Sequence, residues 1–159
     1  MTQQATSVPH ITMDGTAYSI EGLPERTKLL LSDMVRTVQE YNALLANYRQ
    51  SLTLTTSYTN SLKEEVEKAK LPIDLSKDKE KPTITIDDNR YDASKAPDLV
   101  KQYINDLANS NKQKNNLEFR LRQLDAAKGA YHSAIKQDID SSEVAPMDPP
   151  PKPDTDNGS

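Results

Sequence analysis

At 159 residues the chain has room for one ordinary domain or two very small ones. Its apolar content of 35%, mean hydropathy of −0.79, single Phe and lack of Trp exclude a thick globular core. A net charge of −4 with acids and bases interspersed is the wrong sign for a nucleic-acid footprint, and the absence of Cys excludes disulfides and thiolate metal sites.

A narrow seam between helices needs few apolar residues, so an elongated, mainly helical protein with small β elements is expected. The opening "MTQQATSVPH" has neither a basic start nor an apolar stretch, so secretion by a signal peptide is not expected. No apolar run reaches the roughly 18 residues of a membrane span. Residues 1–8 are expected to be a flexible N-terminus.

The first element is "ITMDGTAY", Ile11 to Tyr18, a hairpin whose Asp14-Gly15 pair signals a two-residue type I′ turn. Pro24 and Glu25 then mark a helix start, since Pro lacks only an N–H that the first turn leaves unpaired and an acid suits the positive helix end. Leu30, Met34, Val38, Tyr41, Leu45, Tyr48, Leu52, Tyr58, Leu62 and Val66 follow at helical spacing and predict one apolar stripe. The Thr-rich "LTLTTS", Leu52 to Ser57, is where a bend is expected if there is one.

A linker over 69–81, "AKLPIDLSKDKEK", leads to a second hairpin, "ITIDDNRY", Ile84 to Tyr91. Its turn carries Asp87-Asp88 in place of Asp-Gly. Asp tolerates positive φ less well than Gly, so a looser or longer turn is predicted. Pro97 and Asp98 open a second helix with Tyr103, Leu107, Leu117, Leu121, Leu124, Tyr131, Ile135 and Ile139 on its stripe. The polar run "NSNKQKNN" interrupts that stripe without ending the helix.

Shifted by 73 positions, the chain matches itself without a gap. Pro9, Ile11, Thr12, Asp14, Tyr18, Pro24 and Lys28 fall on Pro82, Ile84, Thr85, Asp87, Tyr91, Pro97 and Lys101. Asp33, Asn42, Leu44, Arg49, Gln50, Tyr58 and Lys63 fall on Asp106, Asn115, Leu117, Arg122, Gln123, Tyr131 and Lys136. These fourteen identities predict a tandem duplication of a hairpin–long-helix unit, 9–68 and 82–139. Each helix would run about 43 residues, roughly 65 Å. The linker spans at most about 50 Å, too short to return along a whole helix. The predicted arrangement is therefore an antiparallel coiled-coil pair with a hairpin near each end and a local two-fold axis. A bend at the Thr-rich stretch would instead give a compact bundle. From 140 to 159 the chain holds half of its ten prolines and reads as a disordered Pro-rich tail.

Little in the sequence suggests chemistry. His10 and His132 stand in unrelated settings, Asp87-Asp88-Asn89 and Asp138/Asp140 lack EF-hand spacing, and no nucleophile elbow or phosphate loop is present. Neither catalysis nor a cofactor or metal is expected.

The "ITMDGTAY" hairpin and the helix ending with Ala127, Ala130, Tyr131, Ala134 and Ile135 resemble a family of small uncharacterised proteins encoded by cyanobacteria and their phages, whose hairpin is of the type I-T-I-D-G-x-x-Y. In that family one hairpin precedes a helix that ends A-x-x-A-Y-x-x-A-I/L. The first unit keeps the hairpin but departs at the helix end, with Thr55, Ser57, Tyr58, Ser61 and Leu62. The resemblance covers residues 9–139 as two copies and implies a phage or bacterial origin, with no catalytic residues to carry over.

The expected function is that of a non-enzymatic structural or assembly protein, a phage virion component working through protein–protein contacts. A small regulatory adaptor or inhibitor of a host or cell protein is the alternative. The contact residues proposed are Asp14, Gly15, Asp87 and Asp88 at the turns, and Pro149, Pro150 and Pro151 in the tail. Partners would be proteins, phage structural proteins or further copies of the chain among them, with nucleic acid and membrane not expected. The location would be the virion or the host cytoplasm.

Overall fold

The computed structural model describes residues 8–151. The chain is mainly helical, with two packed helices and two small antiparallel hairpins. β1 (His10–Met13) pairs with β2 (Thr16–Ser19), and a short 3-10 turn at Ile20–Gly22 leads into α1 (Glu25–Ala69). β3 (Thr83–Ile86) pairs with β4 (Asn89–Asp92), and α2 (Asp98–Ser141) follows.

Both helices start where Pro places them. The Pro24 and Pro97 carbonyls accept the first helical bonds, from the Lys28 and Lys101 N–H groups at 3.0 and 3.2 Å. Both end in a Schellman motif. Lys70 and Glu143 take φ of 49° and 51°, and the Leu71 and Val144 N–H groups donate back to Val66 and Ile139. That motif favours an apolar residue just past the helix, and Leu71 and Val144 fill the position.

α1 is one helix through the Thr-rich stretch. The Thr53, Thr55, Thr56 and Thr59 hydroxyls each donate to the carbonyl four residues earlier, which satisfies them without breaking the helix. α2 is likewise continuous through "NSNKQKNN".

The contacts divide the chain into two compact units, each drawing on both halves of the sequence. In residues 8–41 and 123–151, Met13, Leu23, Ile135 and Ile139 form the buried core, with Ile11, Tyr18, Leu30, Leu31, Met34 and Val144 packed around it. The Thr27 hydroxyl reaches Asp138 and the Lys128 ammonium lies 4.1 Å from the Tyr41 ring centre, so the helical segments run antiparallel here. In residues 42–122, Leu62, Val66, Ile84, Ala96 and Val100 form the core, with Leu71, Ile86, Tyr91, Tyr103 and Leu107 against it. Thr55 meets Ser110 at 3.0 Å while Leu62 and Val66 meet Val100, again antiparallel. In both units the hairpin covers the far end of the helix that does not follow it directly.

Three expectations are corrected. Val38 and Leu52, placed on the apolar stripe, are 37% and 41% exposed. A helix of 3.6 residues per turn drifts from a strict heptad, so near this point the inward positions pass to Ser51 and Thr55. The Asp87-Asp88 turn is not looser: Ile86 faces Asn89 across it as Met13 faces Thr16 across Asp14-Gly15. The tail does not begin at 140. α2 continues to Ser141, and Val144 packs on the core. The rest of the expected tail, 152–159, and residues 1–7 of the expected flexible N-terminus lie outside the described residues.

The inward Ser51 is only 7% exposed, and its hydroxyl has no hydrogen-bond partner. An unmet buried hydroxyl destabilises, and Ala is the better helix former. Ser51→Ala should raise stability by about 1 kcal/mol, read as a higher urea midpoint at an unchanged slope.

Candidate interaction surface

Each hairpin turn is tied to a helix by its first acid. Asp14 forms an ion pair with Lys136, and Asp87 one with Lys63 at 2.7 Å. The Lys136 bond and charge hold the Asp14 carboxyl below the usual carboxylate range, and Asp14 raises the Lys136 ammonium in return. The positive φ values of Asp14 (49°) and Gly15 (82°), and of Asp87 (48°) and Asp88 (65°), are those of a type I′ turn. Of the four turn residues proposed as contacts, Asp14 and Asp87 therefore already serve the chain's own packing. Gly15 and Asp88 are exposed within their turns. Pro149 and Pro150 are exposed and Pro151 is half-buried.

A feature the sequence reading missed is a strap running from each helix end onto a hairpin. After α1, the Asp74 N–H donates to the Arg90 carbonyl at 2.7 Å and the Asp92 N–H to the Pro72 carbonyl at 2.8 Å. Ile73 thereby sits opposite Tyr91 as an antiparallel bridge on the outer edge of β4. After α2, the Met147 N–H donates to the Ala17 carbonyl at 2.8 Å on the outer edge of β2. The available signal was the apolar residue two or three places beyond each helix, Leu71 and Val144.

Charges lock the strap after α1. Arg90 donates to the Ser76 and Asp78 carbonyls, at 3.0 and 2.6 Å, and its guanidinium lies 3.5 Å from the buried Asp74 carboxylate. Lys81 bridges to Asp92 at 2.9 Å and to Asp74 at 3.9 Å. The Ser76 backbone N–H, ahead of Lys81 and Arg90, holds Asp74 below the usual carboxylate range. Hydrogen bonds from Ser94 and then Lys81 hold Asp92 further down, and Asp92 raises Lys81.

The pH consequence follows from those directions. A carboxyl whose folded pKa is lowered stabilises fully above its ordinary value of 3.8, and that stabilisation is lost as pH falls through the lowered value. A raised lysine stabilises below 10.5 and loses it as pH rises past the raised value. The urea midpoint should therefore drop below about pH 4. Asp92→Asn should lower it at pH 7 and flatten the acid limb.

The remaining edges are open. Bonding between Met13 and Thr16, Ile11 and Tyr18, and Pro9 and Ile20 turns the backbone groups of Thr12 outward on β1. The same alternation turns those of Thr85 outward on β3. Among the described residues no backbone group pairs with either edge, and both side chains are exposed. Apolar groups on the strap after α1 are also uncovered, Ile73 by 56% and Leu75 by 91%. A shallow groove of about 410 Å³ in the second unit is lined by Asn47, Gln50, Ser51, Leu54, Gln113, Asn116 and Leu117. Among the described residues no cluster of three or more His, Cys, Asp or Glu is placed to hold a metal ion, and no helix is long and apolar enough to cross a membrane.

No protein family, curated protein or solved structure was found to match the chain.

Proposed function

We propose that the chain is an assembly protein made by tandem duplication of a hairpin–helix–strap module, and that it works through strand addition rather than chemistry. The duplication is supported by features that recur 73 residues apart. These include the bounds of all four strands, the helix starts, and the left-handed residues Lys70 and Glu143. The Lys63–Asp87 and Lys136–Asp14 ion pairs join equivalent residues in exchanged roles, and the bonds from Asp74 to Arg90 and from Met147 to Ala17 do the same.

The observation that carries the function is the pair of open edges, β1 and β3. Unpaired edge strands invite pairing with another sheet, and backbone hydrogen bonds supply the grip. The resemblance to phage-encoded proteins supports a particle component as the setting. Virion proteins and further copies of the chain are then the partners.

Proline at an outward edge position removes one donor without touching the hairpin's internal bonds. Thr12→Pro with Thr85→Pro should keep the helical circular dichroism, and should abolish self-association in light scattering and recovery with purified particles. A chain that stays monomeric at every concentration, and that is absent from particles, would overturn the assembly reading. The alternative, a regulatory adaptor or inhibitor, draws on exposed Ile73 and Leu75. It predicts recovery of one stoichiometric soluble protein, lost in Leu75→Asp and kept in the edge-proline variant.

A further inference from the structure

The two straps occupy equivalent places but are held unequally. The strap after α1 makes two backbone bonds to β4 and is gripped by Arg90 and Lys81. In the strap after α2, Met147 reaches Ala17, but the equivalent of the Asp92-to-Pro72 bond is missing: among the described residues the Ser19 N–H finds no carbonyl in the strap. Among the described residues no side chain grips from the hairpin side either, because Ala17 stands where the other hairpin has Arg90. What remains among the described residues is Val144 against Met13, Leu23 and Ile139, and the bond from Met147. The hinge itself is unfavourable. Glu143 holds φ at 51° without being Gly, and it places a negative charge at the negative end of α2.

We infer that the outer edge of β2 is a strand-docking site that the chain's own Val144–Met147 fills in cis, and that the same segment of a second copy fills it in trans. The occupant is specified by what already fits. It is an extended segment with an aliphatic side chain in the Val144 position and a free N–H three residues on to meet the Ala17 carbonyl. Exchange between copies re-forms the contacts of Val144 and Met147 with the hairpin, so it needs no new interface; what it gives up is the turn at Glu143 with its Val144-to-Ile139 bond. In cis the strap benefits from a high effective concentration, and exchange therefore grows with protein concentration or where copies are arrayed. The straps differ in consequence: the locked one is part of the fold, the latched one links copies. This inference rests on the assembly reading but uses a different edge from β1 and β3.

The chain has no Cys, which gives a clean test on full-length protein. Ala17→Cys chains are mixed with Met147→Cys chains and oxidised mildly over a concentration series. Random coupling of the two variants gives mixed disulfide at its statistical share, and an excess over that share forms only when a strap docks in trans. The expected result is mixed dimer well above its statistical half share, rising with concentration. Adding Val144→Asp to the Met147→Cys chain should bring it back to that share, with helical circular dichroism retained. A statistical share of mixed dimer at all concentrations would overturn the inference, as would an excess that Val144→Asp leaves unchanged. Thr12→Pro in both chains should not alter the mixed dimer. A failure here with edge-dependent self-association intact would therefore sink the strap exchange and leave the assembly reading standing.

Discussion

Replacing Ile135 by Ala should lower stability by about 3–4 kcal/mol, the largest loss expected from a single core truncation here. Ile135 is fully buried among Met13, Leu23 and Ile139, where it joins the first hairpin to the last turns of α2. Truncation removes three carbons and leaves a space that the hairpin strands, tied by the Asp14–Lys136 pair, are poorly placed to fill. Leu62, which stands 73 residues earlier, is 4% exposed and packs with Val66, Ile84 and Val100 in the same way. Leu62→Ala should therefore have a similar effect, about 3 kcal/mol. Urea unfolding of both variants checks this. A loss below about 1 kcal/mol at either position would mean that the hairpin does not rest there.

The second large effect concerns the turns. Gly15 holds φ at 82°, and a Cβ added there would meet nothing within 4 Å. Any penalty at this position is therefore backbone strain alone. Gly15→Val should destabilise by about 2 kcal/mol, because a β-branched residue is a true outlier at positive φ. Asp88 holds the equivalent place at 65° and has a short side chain that tolerates it. Asp88→Gly should stabilise by about 0.5 kcal/mol, restoring the Asp-Gly pair of the first turn. Opposite signs at equivalent turn positions would be hard to obtain from any other turn geometry. Thermal unfolding of the two variants reads both.

Much of this was legible because the strongest local signals agree with the fold. Pro24 and Pro97 put both helix starts within a residue of where they fall, and alternation through Ile11 and Ile84 set the strands. The Thr-rich stretch misled only towards a bend, since its hydroxyls turn back onto the helix's own carbonyls. The stripe failed at Val38 and Leu52 because a list of spacings of three and four does not register the slow drift of the inward face. The straps were hidden for a different reason. "VAPMDPPP" has the composition of a solvated tail, and composition does not reveal that a single aliphatic residue beyond a Schellman turn has a slot waiting in another part of the chain. The second turn was misjudged by weighing Asp88 alone, when the fixed register of its strands and the Lys63 pair of its neighbour Asp87 hold the geometry.

Which hairpin rests on which helix end is the point on which the straps, the open edges and the exchange all depend. A zero-length carbodiimide coupling of carboxylate to amine, followed by peptide mapping of the monomer band, tests it most directly. Links between Asp14 and Lys136 and between Asp87 and Lys63 are predicted. Links from Asp14 to Lys63 and from Asp87 to Lys136 would contradict the account, because each hairpin would then lie on the helix that follows it in sequence.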